Sequence, residues 1–245
     1  MSDTNGLIRV AIMDDHQGIL DGYLYRLQGQ ADIKIVGTIR YGDDLEPLLA
    51  RQPVDVLLLD MQVPCSPENP NQFPVLPTIP RLAQLYPEMA ILAISMHNQR
   101  TLIQATLDAG ANGYILKDDY TAIQELASII RSVANQGIYL SAEAFQAIQR
   151  KTGGDGFTSL TPRQLEVLAL CSAYPNLTTA DLARRMNIAH STLRNFLSGA
   201  YLKLGVSNRS AAIIKARQLG LIPNDARPAG FPGGNGTPPG NDPNK

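Results

Sequence analysis

The chain has 245 residues, 44% of them hydrophobic, with no Trp and a formal net charge of −1. That length allows one large domain or two ordinary ones, and the apolar content suffices for packed cores. No apolar run approaches the roughly 20 residues of a transmembrane helix, so no such helix is expected. MSDTNG lacks the basic and apolar parts of a secretion signal. The two cysteines, Cys65 and Cys171, make no CxxC pair and no metal spacing. A reduced, cytoplasmic chain is expected. The small net charge hides an asymmetry. Residues 7–140 carry 9 basic and 15 acidic side chains, a balance of −6, whereas residues 158–222 carry 8 and 2, a balance of +6. Such a split suggests an acidic module joined to one that binds nucleic acid.

In chain order, apolar β-branched runs alternate with helical patterns. The spacing predicts strands at 8–13, 33–39, 54–60, 90–95 and 112–117. It predicts helices at 17–28, 43–51, 98–109 and 121–135, with a weaker one near 76–86. Five βα units imply a parallel sheet covered on both faces, with all strand C-termini at one edge. The segment PCSPENPNQFPVLPTIP (64–80) interrupts this rhythm. Its six prolines are incompatible with a regular helix, so a long loop is expected. A short helix over 141–151 and a Gly-rich hinge, TGGDG, lead to a stretch with helical patterns only, 159–222. The Pro/Gly/Asn-rich remainder, 223–245, has the composition of a disordered tail.

The polar residues at the strand ends carry the chemistry. Asp14 and Asp15 follow IRVAIM, Asp60 ends VDVLLLD, Ser95 ends AILAIS and Lys117 ends GYILK. Taken singly, each is an ordinary loop, cap or turn residue. Together they fall on the edge where open parallel sheets bind ligands. Mg²⁺ takes oxygen ligands and keeps several waters. Asp15 and Asp60 suit direct ligation, Asp14 ligation through water, and the Gln62 carbonyl a further position. Asp60 suits the nucleophile of an acyl-phosphate reaction. Lys117 would neutralise the transferring oxygens, and Ser95 would hydrogen-bond one of them.

These segments, IRVAIMDDH, VDVLLLDMQVP, ILAISMH and GANGYILKDD, resemble the receiver domain of two-component response regulators over about residues 8–140. The resemblance implies an α/β, flavodoxin-like, doubly wound sheet of five strands in the order 2-1-3-4-5. It also implies Mg²⁺ dependence, phosphorylation of Asp60 by a sensor histidine kinase, and a switch role for Tyr114. The proline-rich segment departs from the family's compact turn. Gln62 stands where phosphatases of the haloacid-dehalogenase type carry a second Asp, so no enzymatic turnover is expected.

In the basic half, Thr161, Pro162 and Gln164 spell a capping box with proline at the first helical position. TTADLARRM follows, capped by Thr178 or Thr179. IAHSTLRNFLSGAYLKLG then runs to Gly205, and a last helix over about 209–219 starts near Ser207 or Asn208. Two short helices joined by a turn suit a helix-turn-helix. Leu193, Leu197, Tyr201 and Leu204 form the apolar face of the second. Arg194, Asn195 and Ser198 lie on the other side, where Arg and Asn suit base edges. Arg184, Arg185 and Lys203 suit phosphate.

LTPRQLEVLAL and TTADLARRMNIAHSTLRNFLSGAYLKLGVSNRSAAIIKARQLGLI resemble the LuxR-type helix-turn-helix of NarL/FixJ-type regulators across 159–222. This resemblance implies base readout by Arg194, Asn195 and Ser198, backbone contacts by Ser191, Thr192 and Lys203, and homodimerisation through the last helix. Ala189 replaces a frequent Ser cap. The expected organisation is a receiver at 1–140, a linker at 141–158, a four-helix DNA-binding domain at 159–222 and a tail. The expected function is a phosphorylation-controlled transcriptional regulator acting on double-stranded DNA. A docking module that controls the DNA-binding domain without phosphorylation is the alternative.

Overall fold

The computed structural model describes residues 6–135, 137–149, 160–206 and 208–223. The expected Gly-rich hinge and the expected tail beyond 223 lie outside the described residues. The first half is a six-stranded parallel sheet in the order β2-β1-β3-β4-β5-β6. Its strands are β1 (Ile8–Met13), β2 (Ile33–Ile39), β3 (Val56–Asp60), β4 (Ala90–Ser95), β5 (Gly113–Leu116) and β6 (Tyr139–Leu140). The helices between them are α1 (Gln17–Leu27), α2 (Leu45–Arg51), α3 (Val75–Leu85), α4 (Arg100–Asp108), α5 (Tyr120–Gln124) and α6 (Leu126–Ala134). The sixth strand corrects the expected five. It is two residues long and too short to stand out as an apolar run.

Side chains alternate across a strand, so each strand feeds two cores. Val10, Ile12, Val56 and Leu58 meet Leu20 and Tyr23 of α1 and Ile130 of α6. Ala11, Met13, Leu57 and Leu59 meet Leu45 of α2, Ile79 of α3 and Ile103 of α4. Burial on both faces explains why these strands read as unbroken apolar runs.

Two elements differ from expectation. The helix predicted over 121–135 is divided at Glu125 (φ −90°, ψ 12°) into α5 and α6. The proline-rich stretch is not one long loop. Helix α3 begins at Val75 and contains Pro77 and Pro80. Pro77 sits in the first turn, where the missing N–H has no helical partner in any case. Pro80 loses one helical hydrogen bond, offset by the burial of Val75, Ile79, Leu82 and Ala83. Residues 64–72 fold back as a small hairpin, with an antiparallel bridge between Pro64 and Gln72. Cys65 N–H donates to Asn71 O at 2.9 Å, while Gly42 and Asp43 N–H donate to Pro64 O and Cys65 O at 2.9 and 3.0 Å.

The second half contains α7 (Ala142–Gln149), α8 (Pro162–Ala173), α9 (Thr179–Arg185), α10 (His190–Leu204) and α11 (Arg209–Gln218). Thr161 and Gln164 make the expected reciprocal cap. Thr178 caps α9 in the same way with Asp181, and Asn208 caps α11. Ala189 precedes α10 in cap geometry with no side-chain hydrogen bond. Gly205 ends α10 at φ 69°, the left-handed conformation that glycine adopts without strain. Leu168, Leu182, Leu193, Leu197 and Tyr201 form the core of this unit. The two halves touch. Ala144 and Ile148 of α7 and Leu202 of α10 are buried in the same cluster as α4.

Candidate functional site

Strands β1, β3, β4 and β5 deliver their terminal polar residues to one edge, as their parallel register requires. Asp14 and Asp60 are buried, at 1% and 4% exposure. The Lys117 ammonium lies 2.7 Å from Asp14 Oδ2 and 2.7 Å from Asp60 Oδ2. Lys117 N–H donates to Ser95 O at 2.8 Å, which extends the β4–β5 pairing and fixes where the lysine leaves the sheet. Burial pushes the Asp60 carboxyl above its ordinary range, against the pull of Lys117. Burial also disfavours the Lys117 ammonium, but Asp14 and Asp60 outweigh it and raise its pKa.

The other members are arranged around this pair. The Gln62 N–H donates to Asp60 Oδ1 at 3.0 Å, which turns the chain after β3. Ser95 is fully buried, and its hydroxyl accepts from His97 N–H at 3.1 Å. Tyr114 is also fully buried and donates from its hydroxyl to His97 O at 2.7 Å. Asp15 is partly exposed beside His16, whose Nδ1 is 2.8 Å from Asp15 Oδ1.

Two buried carboxylates, Asp14 and Asp60, face one ammonium, and Asp15 adds a third negative charge beside Asp14, an excess that suits a divalent cation. Asp14 Oδ2 is buried, and the Lys117 ammonium 2.7 Å away is its ion-pair partner. Ligand atoms of Asp14, Asp15 and His16 lie within 4.8 Å of one another. The buried carboxylate oxygens of Asp14 and Asp60 that hold the Lys117 ammonium are hard oxygen donors of the kind Mg²⁺ takes.

The residues expected to meet DNA lie elsewhere. Arg194 is only 7% exposed and Ser198 only 5%, which corrects the expectation that they face outward with Asn195. The Arg194 guanidinium donates to Gly110 O at 2.9 Å, to Asn112 Oδ1 through a short bond, and more weakly to Pro87 O at 3.4 Å. Asn195 Nδ2 donates to Asp108 O at 2.9 Å. All four acceptors belong to the first half of the chain. Burial pulls the Arg194 guanidinium down to about 10, so it remains charged at neutral pH. Ser191 and Thr192 are half-buried in the first turn of α10. Lys203 donates to Gln164 Oε1 at 3.0 Å. Arg184 pairs with Asp181, and Arg185 stacks on the Tyr174 ring with its centroid 4.4 Å away; both arginines are exposed.

Sequence reasoning missed the receiving side of these contacts. Asn112 looked like one letter of GANGYILK. Its Oδ1 also accepts from Ile91 N–H at 2.9 Å, so β4 holds it ready for Arg194. The other acceptors are main-chain carbonyls, which no side-chain pattern announces.

Residues 10–131 match the response regulator receiver domain family, and residues 158–216 match the bacterial regulatory proteins of the luxR family. The chain belongs to the two-component response regulators of NarL/FixJ type, with a receiver domain and a LuxR-type helix-turn-helix. It is a response-regulator transcription factor. Among similar proteins, the transcriptional regulatory protein MctR of Rhizobium johnstonii is 29% identical over 217 residues, covering 88% of this chain and 95% of that one. The response regulator UvrY of Escherichia coli K12 is 25% identical over 205 residues, covering 82% and 89%. In fold, the chain resembles the RcsB response regulator of Salmonella typhimurium with a TM-score of 0.53 at 22% identity, covering 87% of this chain and all of that one. Among the described residues no helix is long and apolar enough to cross a membrane.

Proposed function

We propose that this protein is a phosphorylation-controlled DNA-binding regulator whose phosphoacceptor is Asp60. The observation that carries this reading is the Lys117 ammonium held between Asp14 and Asp60 at 2.7 Å from each, at the carboxyl edge of the sheet. In the reaction, an Asp60 oxygen attacks the phosphorus of a phosphohistidine on a sensor kinase or of a small acyl phosphate. The bond to phosphorus forms as the bond to the donor breaks, and the donor leaves with its electron pair. Lys117 neutralises charge on the transferring oxygens, and the Ser95 hydroxyl hydrogen-bonds the attached group. A Mg²⁺ ion held by Asp14, Asp15, Asp60 and the Gln62 carbonyl would supply further charge neutralisation.

The output follows from what α4 touches. The Ser95–His97 segment, bonded to the Tyr114 hydroxyl, leads into α4. The far end of α4 offers the Asp108 and Gly110 carbonyls that hold Asn195 and Arg194. The unphosphorylated protein therefore keeps its recognition helix against the receiver. A phosphoryl group on Asp60 redirects Ser95, biases this segment and α4, and frees α10 for double-stranded DNA. It can only shift an equilibrium between closed and open forms that already exists. The freed domain dimerises through α11 and binds paired half-sites. There Arg194, Asn195 and Ser198 meet bases, while Ser191, Thr192, Lys203, Arg184 and Arg185 meet the backbone.

The test is treatment of wild type and Asp60→Asn with acetyl phosphate and Mg²⁺, followed by intact mass and DNA affinity. Wild type should gain one phosphoryl group and bind DNA more tightly, and Asp60→Asn should do neither. A full response in Asp60→Asn would rule out control through this carboxylate.

A further inference from the structure

The contact between α10 and the receiver contains an ionisable group that neither the phosphoryl site nor base readout uses. His190 is the first residue of α10. It lines a small pocket with Pro87, Glu88, Asn112, Val133 and Arg194, so the pocket has walls from both halves of the chain. One ring nitrogen, Nε2, lies 2.7 Å from the Thr179 hydroxyl of α9. The other, Nδ1, is buried without a hydrogen-bond partner. The Arg194 guanidinium, one helical turn on, occupies the same pocket.

We infer that His190 is an acid-sensitive latch on the closed form: its protonation opens the interface and releases α10 independently of Asp60. The inference rests on reading the docked arrangement as the resting state. The charges facing the imidazole fix the sign. Arg194, on its own helix, repels an imidazolium. Glu88, in the loop before β4, attracts one, as does the Pro87 carbonyl. Thr179 of α9, Asn112 before β5 and Val133 of α6 bring no charge. Burial, then Arg194, dominate, and they hold the imidazole below its ordinary value near 6.5 despite Glu88 and Pro87. In the open form His190 is solvated and takes up a proton more readily. The closed form is therefore favoured above that range and loses ground as pH falls through it. Each tenfold difference in proton affinity between the two forms transmits up to a tenfold change in the open population.

The experiment is small-angle scattering on the full, unphosphorylated chain at pH 7.5 and 5.5, for wild type and His190→Gln. Glutamine stays neutral and can still bond Thr179. Wild type should expand at pH 5.5, with His190→Gln equally compact at both values. A wild type that does not expand, or a variant that expands as much, overturns the latch. An NMR titration of the wild-type histidines needs no substitution. A His190 that titrates at its ordinary value would overturn the latch as well. DNA affinity at the two pH values separates the premises. Expansion without tighter DNA binding leaves the latch standing and removes the assigned role of the docked helix.

Discussion

The Arg194 guanidinium donates to the Gly110 carbonyl at 2.9 Å, across the boundary between receiver and DNA-binding domain. A side chain suited to guanine is thus spent on main-chain and amide oxygens of the same molecule. Its hydrogen-bond partners are all neutral. A buried cation so held is stabilised less than one paired with a carboxylate. The closed form is therefore one that modest forces can open.

Asn112→Ala should open it without altering the side chains proposed to meet DNA. A hydrogen bond to a charged group contributes about 1.5–3 kcal/mol. The unphosphorylated variant should bind DNA at least roughly tenfold more tightly, measured by fluorescence anisotropy at fixed salt. Unchanged affinity would mean the docked helix does not limit binding.

Removing the ammonium between the two acids is a second test. Lys117→Ala leaves Asp14 and Asp60 facing each other in a buried site, a change expected to cost about 3 kcal/mol at pH 7. Burial already holds the Asp60 carboxyl high, so lowering the pH protonates it sooner and reduces the deficit. Added Mg²⁺ should reduce it too. Urea unfolding against pH and Mg²⁺ reads both effects.

Arg9 grips Asp55 through its backbone N–H at 2.7 Å, Nε at 2.8 Å and the guanidinium tip at 2.6 Å. Burial would raise the Asp55 carboxyl, but these bonds win and hold it below its ordinary range. Its stabilisation is complete above the unfolded value of about 3.9 and is lost as pH falls through the depressed one. Asp55→Asn should cost about 1 kcal/mol at neutral pH, discounted for partial exposure. The difference from wild type should vanish in strong acid.

Ala189 sits in cap geometry at φ −63° and ψ 144° with no oxygen to offer. Ala189→Ser should add about 1 kcal/mol to the DNA-binding domain by satisfying a free N–H of α10. Thermal unfolding checks this.

A methyl group at Gly42 would lie 2.0 Å from the Phe73 ring. Gly42→Ala should cost about 1–3 kcal/mol and loosen the hairpin at 64–72. Amide exchange at Cys65 and Phe73 should accelerate.

Most of the receiver was legible because its strands are buried on both faces. Unbroken runs such as VLLLD need no subtle reading, and the polar residues ending them fall on one edge by topology alone. The capping box at Thr161 was legible because both of its partners are local side chains. What escaped was non-local or carried by the main chain. The hairpin is held by carbonyls and N–H groups of Gly42, Asp43, Pro64 and Cys65; in α3, Pro77 sits in the first turn and the lost bond at Pro80 is offset by burial around it. The burial of Arg194 escaped for a related reason. Amphipathic periodicity distinguishes core from non-core, but it cannot separate water from a neighbouring domain.

Gly42, Asp43, Cys65 and Asn71 anchor the hairpin through peptide groups, whereas Ser66 Oγ and Asn69 Oδ1 accept bonds within its tip, so anchorage and tip are set by different groups. A position such as Glu68, which is exposed and takes part in none of these bonds, can change while the anchorage persists. A response regulator so built carries, beside its Asp14–Asp60–Lys117 cluster, a mount on which new recognition can be tried without disturbing the residues beneath.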